Sequence, residues 1–529
     1  MKVILKEALL LGFLGTVLGI VSGFFLAQGL VQLVTRSIND LYFVLSVQEL
    51  SIGVYPLAKA ALLGMGATLL AAWWPAREAS QAEVSTVLQR SSNESKIIER
   101  LRPLAFTGLL TALAGGALLL IPGGGIAAGY VALLGIIVGF SLIIPLLIVG
   151  MARVFRPLLG RLNGIIGKMA VRGVVTELNR TSVAIAALVV AVAATVGVGI
   201  MIESFRGTVV SWLEAQLQAD VYVQPPSAVT RKADAKLAPG LVELLKETEG
   251  VGKSHTVRNV EVATNYGSGN LVAVDQGAGN RDSYQLKNAA GGFWENYSSE
   301  PNVMVSEAYA YHNDVALGDS IFITTDRGRE GFEVQAINFD YTSDTGTITM
   351  HREVYNRYFD DRAVSGLALY AAGGTSVDRL VERLRDKAES RQQVFIRSNK
   401  GLREASIAIF DRTFTVTVVL RLLAIVVAFI GILSALMALQ LERSRELAVL
   451  RANGMTPGQL WNYVTSQTGI MGLMAGILSV PVGILMAYIL VYVINLRSFG
   501  WTLQLSVSPE VLLQALGLSV IAALLAGLY

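Results

Sequence analysis

Cysteine is absent from the 529 residues, which excludes disulfides and thiolate metal sites. Histidine is nearly as scarce: His255, His312 and His351 are the whole complement, without H-E-x-x-H or any close ligand spacing. Charged residues make up only 16% of the chain against 53% hydrophobic, too little polar surface to clothe an ordinary soluble domain. The basic residues sit at the ends of apolar runs, with no patch interleaved with aromatics, which argues against nucleic acid. There is no G-x-x-x-x-G-K-[ST] loop to cradle ATP phosphates. Nor does Asp or Glu interrupt the core of a long apolar run, Glu510 lying at an end, so the midplane ionisable group of a proton- or sodium-coupled carrier is missing.

Apolar length is what the chain has instead. About eight runs approach or exceed the roughly 20 residues that cross a hydrocarbon core: 8–34, 57–74, 104–121, 124–151, 182–202, 413–440, 463–494 and 511–529. The first resembles a signal peptide in its Lys2 and Lys6, yet it is too long, and Phe25 stands where cleavage needs a small residue; it reads as a retained span. Lys59 and Arg421 lie near the outer ends of their runs, where snorkelling accounts for them.

Lys and Arg set the orientation. Arg77, Arg90, Lys96, Arg100 and Arg102 mark 75–103 as cytoplasmic; Arg153, Arg156, Arg161, Lys168, Arg172 and Arg180 mark 152–181; Arg443, Arg445 and Arg451 mark 441–462. The connections between them hold little beyond Arg36 and Arg497. The same orientation puts 203–411 outside, with about 29 acids against about 22 bases, as the positive-inside rule expects.

The outer segment changes pattern. "ADVYVQP", "VRNVEVATN", "NLVAVD", "GDSIFITT" and "GFEVQAINFD" read as strands; "APGLVELLKETEG" and "SVDRLVERLRDKAES" read as helices. Its two ends, 203–218 and 399–412, look helical and continuous with the flanking spans, so the domain stands on two helical stalks. The fold class is a polytopic α-helical transmembrane bundle with one large extracytoplasmic α+β domain. Along the chain this gives a transmembrane pair (1–74), a cytoplasmic linker (75–103), a central transmembrane pair (104–151), a cytoplasmic amphipathic segment (152–181), a transmembrane helix (182–202), the outer domain (203–411) and a three-span section (412–529).

The first two spans are repeated in the last two. Gly12, Gly15, Gly19, Gly23 and Ala27 align with Gly472, Ala475, Ser479, Gly483 and Ala487, a stripe of small residues that permits close helix approach in lipid. "ELSI" at Glu49 then meets "QLSV" at Gln504, and "LLAAWW" meets "LLAGLY". The stripes read first as packing within the protein and second as a sliding dimer interface. The duplication predicts a proline and a basic helix after Tyr529, and a copy of "LERSRELAVLRANGMTPGQLW" before Met1, as if the chain were a fragment.

That segment, 441–461, combines Leu441, Leu447, Leu450 and Leu460 with Glu442, Arg443, Arg445, Glu446 and Arg451, while Gly454 and Thr456-Pro457 break one helix and start another. Taken alone, it is a charged connector. Together with the Gly-rich span and "RSFGWTLQLSVSPE" it resembles the FtsX-like permease family, the mechanotransmission group of ABC transporters that includes MacB-type and lipoprotein-releasing permeases. "VMVSEAYAYHNDVALGDSIFITT" is similar to the periplasmic domain of that family.

The resemblance implies a bacterial inner-membrane permease subunit without cofactor, energised by a separate cytoplasmic ABC ATPase. Its substrate would be a lipid, lipoprotein or other hydrophobic compound, and a periplasmic partner protein is a further expectation. Glu442, Arg443, Glu446, Arg451 and Gly454 are the implied ATPase contacts. A rival within the family is a signalling scaffold that regulates an extracytoplasmic enzyme such as a cell-wall hydrolase. A membrane hydrolase using Ser268 or a histidine is the weakest reading, because "YGSGN" lacks the G-x-S-x-G elbow. "FWENY", 293–297, reads as core aromatics beside a Gly-Gly turn before it reads as a ligand lip.

Overall fold

The computed structural model describes residues 2–39, 53–81, 93–121, 123–226, 236–275, 283–408 and 448–527, with isolated positions between 411 and 430. Two helices, α1 (Lys2–Asn39) and α2 (Val54–Gln81), form a first hairpin. A second hairpin, α3 (Asn93–Leu119) and α4 (Gly125–Leu162), leads into the short α5 (Gly164–Thr176) and then α6 (Leu178–Gln216). With 39 residues α6 is roughly 58 Å long, more than a bilayer core requires, and its outer turns are the first stalk.

The outer domain follows as β1 (Val221–Gln224), α7 (Pro239–Lys246), β2 (Val251–Thr264), β3 (Gly267–Val274), β4 (Leu286–Ala289), α8 (Phe293–Asn296), β5 (Asn302–Ser306) and α9 (Glu307–Asn313). It continues with β6 (Ser320–Thr325), β7 (Gly328–Asn338), β8 (Ile348–His351), α10 (Arg352–Tyr358), β9 (Gly366–Ala371), α11 (Val377–Glu389) and β10 (Phe395–Ser398). Residues 399–408 are helical and form the second stalk. The chain re-enters the described region at a helix over 448–452. It then builds α12 (Pro457–Ile489), a π-helical turn (Leu490–Ile494), α13 (Asn495–Phe499) and, after an extended stretch, α14 (Pro509–Gly527).

Six of the expected spans are helices long and apolar enough to cross a membrane among the described residues; the last is the shorter apolar helix Pro509–Leu525, and 413–440 is described only at isolated positions. Proline is carried inside α3, α4 and α12 at Pro103, Pro145, Pro157 and Pro481, which neighbouring helices make tolerable in a membrane. Glycine sets the closest approaches. A methyl at Gly139 of α4 would stand 2.5 Å from the Gly108 carbonyl oxygen and 2.6 Å from Ala112 N, so α3 and α4 touch backbone to backbone.

The domain is one ten-stranded sheet ordered β10-β1-β9-β2-β3-β8-β5-β7-β4, with β6 paired to β7 and touching β2. Among the described strands, parallel pairing is confined to β3 with β8 and β5 with β7. Apolar side chains on one face form two cores. Leu271, Ile348, Phe332 and Tyr355 build the first; Leu241, Leu245, Leu380 and Leu384 from α7 and α11 pack on Val221 and Leu369 in the second. The buried Arg258 is neutralised by Asp361 at 2.6 Å and donates to Ser365 Oγ at 3.0 Å. Phe293 and Tyr297 lie in a small core with Met304 and Ala336, as packing aromatics do.

Overpacking of this kind costs about 1–3 kcal/mol, so Gly139→Ala is expected to lower the thermal unfolding midpoint in detergent. A methyl at Gly19 meets nothing within 4 Å, and Gly19→Ala is expected to leave the midpoint unchanged.

Candidate coupling site

The turn before α12, the candidate hinge, is built by two capping devices set back to back. At the end of the 448–452 helix, Met455 N donates to Leu450 O and Gly454 N to Arg451 O, both at 3.1 Å, the pattern of a Schellman turn. That turn requires a left-handed residue, which Gly454 supplies with φ +95. One residue on, Thr456 and Gln459 close a reciprocal capping box over Pro457, which starts α12. The hinge therefore has a defined shape. Arg451 and Gly454 are exposed on it, and Trp461 beside them is 58% exposed. Glu442, Arg443 and Glu446 lie outside the described residues.

Just inside the same face, Asn163 at the end of α4 and Asn462 on α12 exchange amide hydrogen bonds of 3.0 and 3.1 Å, and Asn163 also donates to Ser466 Oγ at 2.9 Å. This amide clasp ties the basic segment around α5 to the first turns of α12.

The second small-residue stripe is occupied by the chain's own helices. A methyl at Gly472 would stand 2.6 Å from Ala523 Cβ and 2.8 Å from Ser519 O of α14. One at Gly483 would meet Val196 Cβ of α6 at 2.6 Å. Ala475 and Ser479 between them are fully buried. In the first stripe only Gly12 has a close neighbour, Thr68 of α2; Gly15, Gly19 and Gly23 face open space. Sequence reading missed the glycines of α3 and α4, although Gly108 and Gly115 show a seven-residue spacing that could have signalled them.

At the outer end, α12 loosens into its π turn and α13 stops at Gly500, φ +75, which lies against His312 and Ala308 of α9. Arg497 on α13 reaches to the second hairpin, donating to the carbonyls of Leu119 at 2.8 Å, Gly125 at 3.1 Å and Ile121 at 3.3 Å. Of these, the Leu119 carbonyl is one of the last four of α3, which no intrahelical N–H serves.

Residues 501–508 then run extended along α6, and side chains satisfy alternate backbone N–H groups. Ser506 N donates to Ser204 Oγ at 2.9 Å, and Gln504 N to Thr208 Oγ1 at 2.9 Å. Thr502 N donates to the Glu307 carboxylate at 2.8 Å. The match is geometric: Ser204 and Thr208 are one helical turn apart, about 6 Å, close to the roughly 6.6 Å between alternate residues of an extended chain.

Glu307, only 3% exposed, also accepts from Thr502 Oγ1 at 3.0 Å and from Lys287 Nζ at 2.5 Å, so its charge is paired. Tyr341 donates its hydroxyl to Thr502 O at 2.9 Å. Burial first, then the Glu307 and Asp340 carboxylates, push that phenol well above its ordinary pKa, so it remains a donor at neutral pH. Trp501 stacks on Phe499 and meets Tyr341 edge-on, inside a core with Ala308, Val491 and Leu503.

The stalks are fastened by Asn399, which donates to Leu217 O at 2.6 Å and Ala219 O at 3.0 Å, and by the ion pairs Arg403–Glu214 and Arg206–Asp411. The enzymatic candidates are dispersed. His351 caps α10, His312 lies by Gly500, His255 contacts the Asp275 carbonyl and Ser268 bonds Glu261.

Because Glu307 and Thr502 form one unit, Glu307→Gln and Thr502→Val are expected to destabilise by about 1.5–3 kcal/mol each and far less than additively together. A double-mutant cycle in thermal unfolding checks this.

Two family models match the chain: "FtsX-like permease C-terminal" over residues 1–84 and 418–529, and "MacB-like periplasmic core domain" over 181–387. An uncharacterized ABC transporter permease protein of Mycobacterium tuberculosis is 40% identical over 532 residues, 99% of this chain and 62% of the relative, so the chain spans somewhat under two thirds of that protein's length. Among solved structures, the periplasmic region of MacB from Actinobacillus actinomycetemcomitans is similar at 11% identity and TM-score 0.28, covering 36% of this chain and 94% of that one. The extracellular domain of the noncanonic ABC-type transporter YknZ from Gram-positive bacteria is similar at 11% identity and TM-score 0.25, covering 34% and 98%. Both halves of the duplicated span pair fall within the first match and the sheet domain within the second: the chain matches an FtsX-like permease domain in two parts around a MacB-like periplasmic core domain, on a multi-pass membrane base.

Proposed function

We propose that the chain is the permease subunit of an ATP-driven ABC transporter of the mechanotransmission type. A separate cytoplasmic ATPase docks on the hinge around 441–461 and drives export or extraction of a lipid, lipoprotein or other hydrophobic substrate. The observation that carries the proposal is the unbroken path from hinge to domain: the capped turn at Gly454, α12, the π turn, α13, and the stretch 501–508 bound to both α6 and Glu307. Force applied at Arg451 and Gly454 tilts α12 against α6, the helix that becomes the first stalk. The π turn supplies the compliance between a stiff helix and an anchored strand.

The ATPase-docking reading is tested by charge reversal. The double variant Glu442→Lys, Glu446→Lys is expected to weaken co-purification of the ATPase at least about tenfold, as loss of complementary interfacial charge does. Unchanged co-purification, or ATP hydrolysis by this chain alone, would falsify the assignment.

Glu307→Gln, at the far end of the path, is expected to leave ATPase binding intact while lowering the nucleotide-driven change in distance between spin labels on the hinge and on β2. A variant that weakens ATPase binding and leaves that movement at full amplitude would contradict the path.

A further inference from the structure

One face of the outer domain's sheet carries the two larger apolar cores; the other carries the small core around Met304 and Ala336 and, beside it, a polar strip. Alternate residues of the central strands point to the polar side: Asn259 and Glu261 from β2, Asn270 from β3, Thr347 and Thr349 from β8. This face curls into a groove of about 760 Å³, closed at one end by Gln216 and Leu217 of the first stalk and by Leu402 of the second. The volume lies within the range of small-molecule sites.

A solvated sheet face would leave its polar atoms wet, and two of these are not. Asn338 and Ser283 line the groove and are only 2% and 3% exposed, and Asn338 Oδ1 and Ser283 Oγ have no hydrogen-bond partner among the described residues. Leaving a buried amide oxygen and hydroxyl unpaired costs free energy that a bound group would return.

The walls state the chemistry of that group. Among the described residues no Lys or Arg lines the groove, and the imidazole of His255 there already contacts the Asp275 carbonyl, so a phosphate or carboxylate meets no guanidinium or ammonium partner. The Asp340 carboxylate already accepts from Thr342 N at 3.0 Å, Thr342 Oγ1 at 2.6 Å and Thr347 Oγ1 at 2.6 Å, and Glu261 accepts from Ser268, so the oxygens of both are largely taken up by the protein's own donors. What remains is hydroxyls and amides beside the rings of Tyr222, Tyr284 and Tyr370 and the side chains of Val257 and Val272. Pyranose rings present that combination in reverse, with hydroxyl rims around apolar C–H faces.

We propose that this groove binds a short neutral glycan segment, with Asn338 accepting from a sugar hydroxyl and Ser283 completing the pair. A ligand seated there touches both stalks, so its occupancy and the stalk angle are linked. This site goes beyond the coupling role. Its test needs neither ATPase nor nucleotide, so failure of one proposal leaves the other standing.

The experiment titrates the full chain, in micelles without sugar headgroups, with maltotriose, cellotriose and chitotriose, and with glucose 6-phosphate as the anionic control, read by saturation-transfer NMR and calorimetry. At least one neutral trisaccharide is expected to bind, and Asn338→Leu to weaken it at least about tenfold, as the loss of a buried hydrogen bond to substrate does. Thr345→Trp obstructs the groove from an exposed rim position and is expected to do the same without touching the core. The proposal fails if no neutral trisaccharide binds at millimolar concentration, if glucose 6-phosphate binds in preference, or if binding survives both substitutions.

Discussion

An extended segment lying against a membrane helix has a row of backbone N–H groups that must find partners, and here no strand supplies them. Ser204, Thr208 and Glu307 take that role for residues 506, 504 and 502. Because two acceptors sit on α6 and the third on α9, the strip 501–508 is the mortar between the membrane helices and the sheet. The stalk, the π turn at the end of α12 and the seating of Gly500 against His312 all depend on where that strip runs.

Much of this architecture was legible beforehand. Apolar length and the Arg and Lys of the inner loops pointed to the spans and their direction, and the strands "GDSIFITT" and "GFEVQAINFD" and the helix "SVDRLVERLRDKAES" were visible in their periods. Gly454 followed by Thr456-Pro457 announced a stop and a start, which the structure realises as a Schellman turn and a capping box. The junction was not legible. Glu307 meets a partner 195 positions away and Asn163 one 299 positions away, and no local pattern encodes such pairs. Gln504 and Ser506 carry no signal either, since what they supply to α6 is a backbone N–H, which every residue but proline has.

The two small-residue stripes show how far a repeat can be read. Similar spacing allowed similar packing to be expected, yet Gly472 and Gly483 are closed by Ala523 and Val196, while Gly15, Gly19 and Gly23 border an apolar groove of about 840 Å³ lined also by Leu57 and Ala60. Small residues permit close approach without commanding it, because lipid tails compete on equal terms for an apolar surface. What seats the second copy is the extra anchoring of α12 by α6 and α14.

That anchoring extends to the central hairpin. The clasp of Asn163 and Asn462 pins α4 to α12 near the inner face, and the guanidinium of Arg497 pins the hairpin's outer end to α13. A rod bolted to its neighbour at both extremities cannot pivot separately from it. Any rotation of α12 thus sweeps α3 and α4 along as one thick blade, and the bilayer lipids displaced by that blade contribute resistance that a lone helix would never meet.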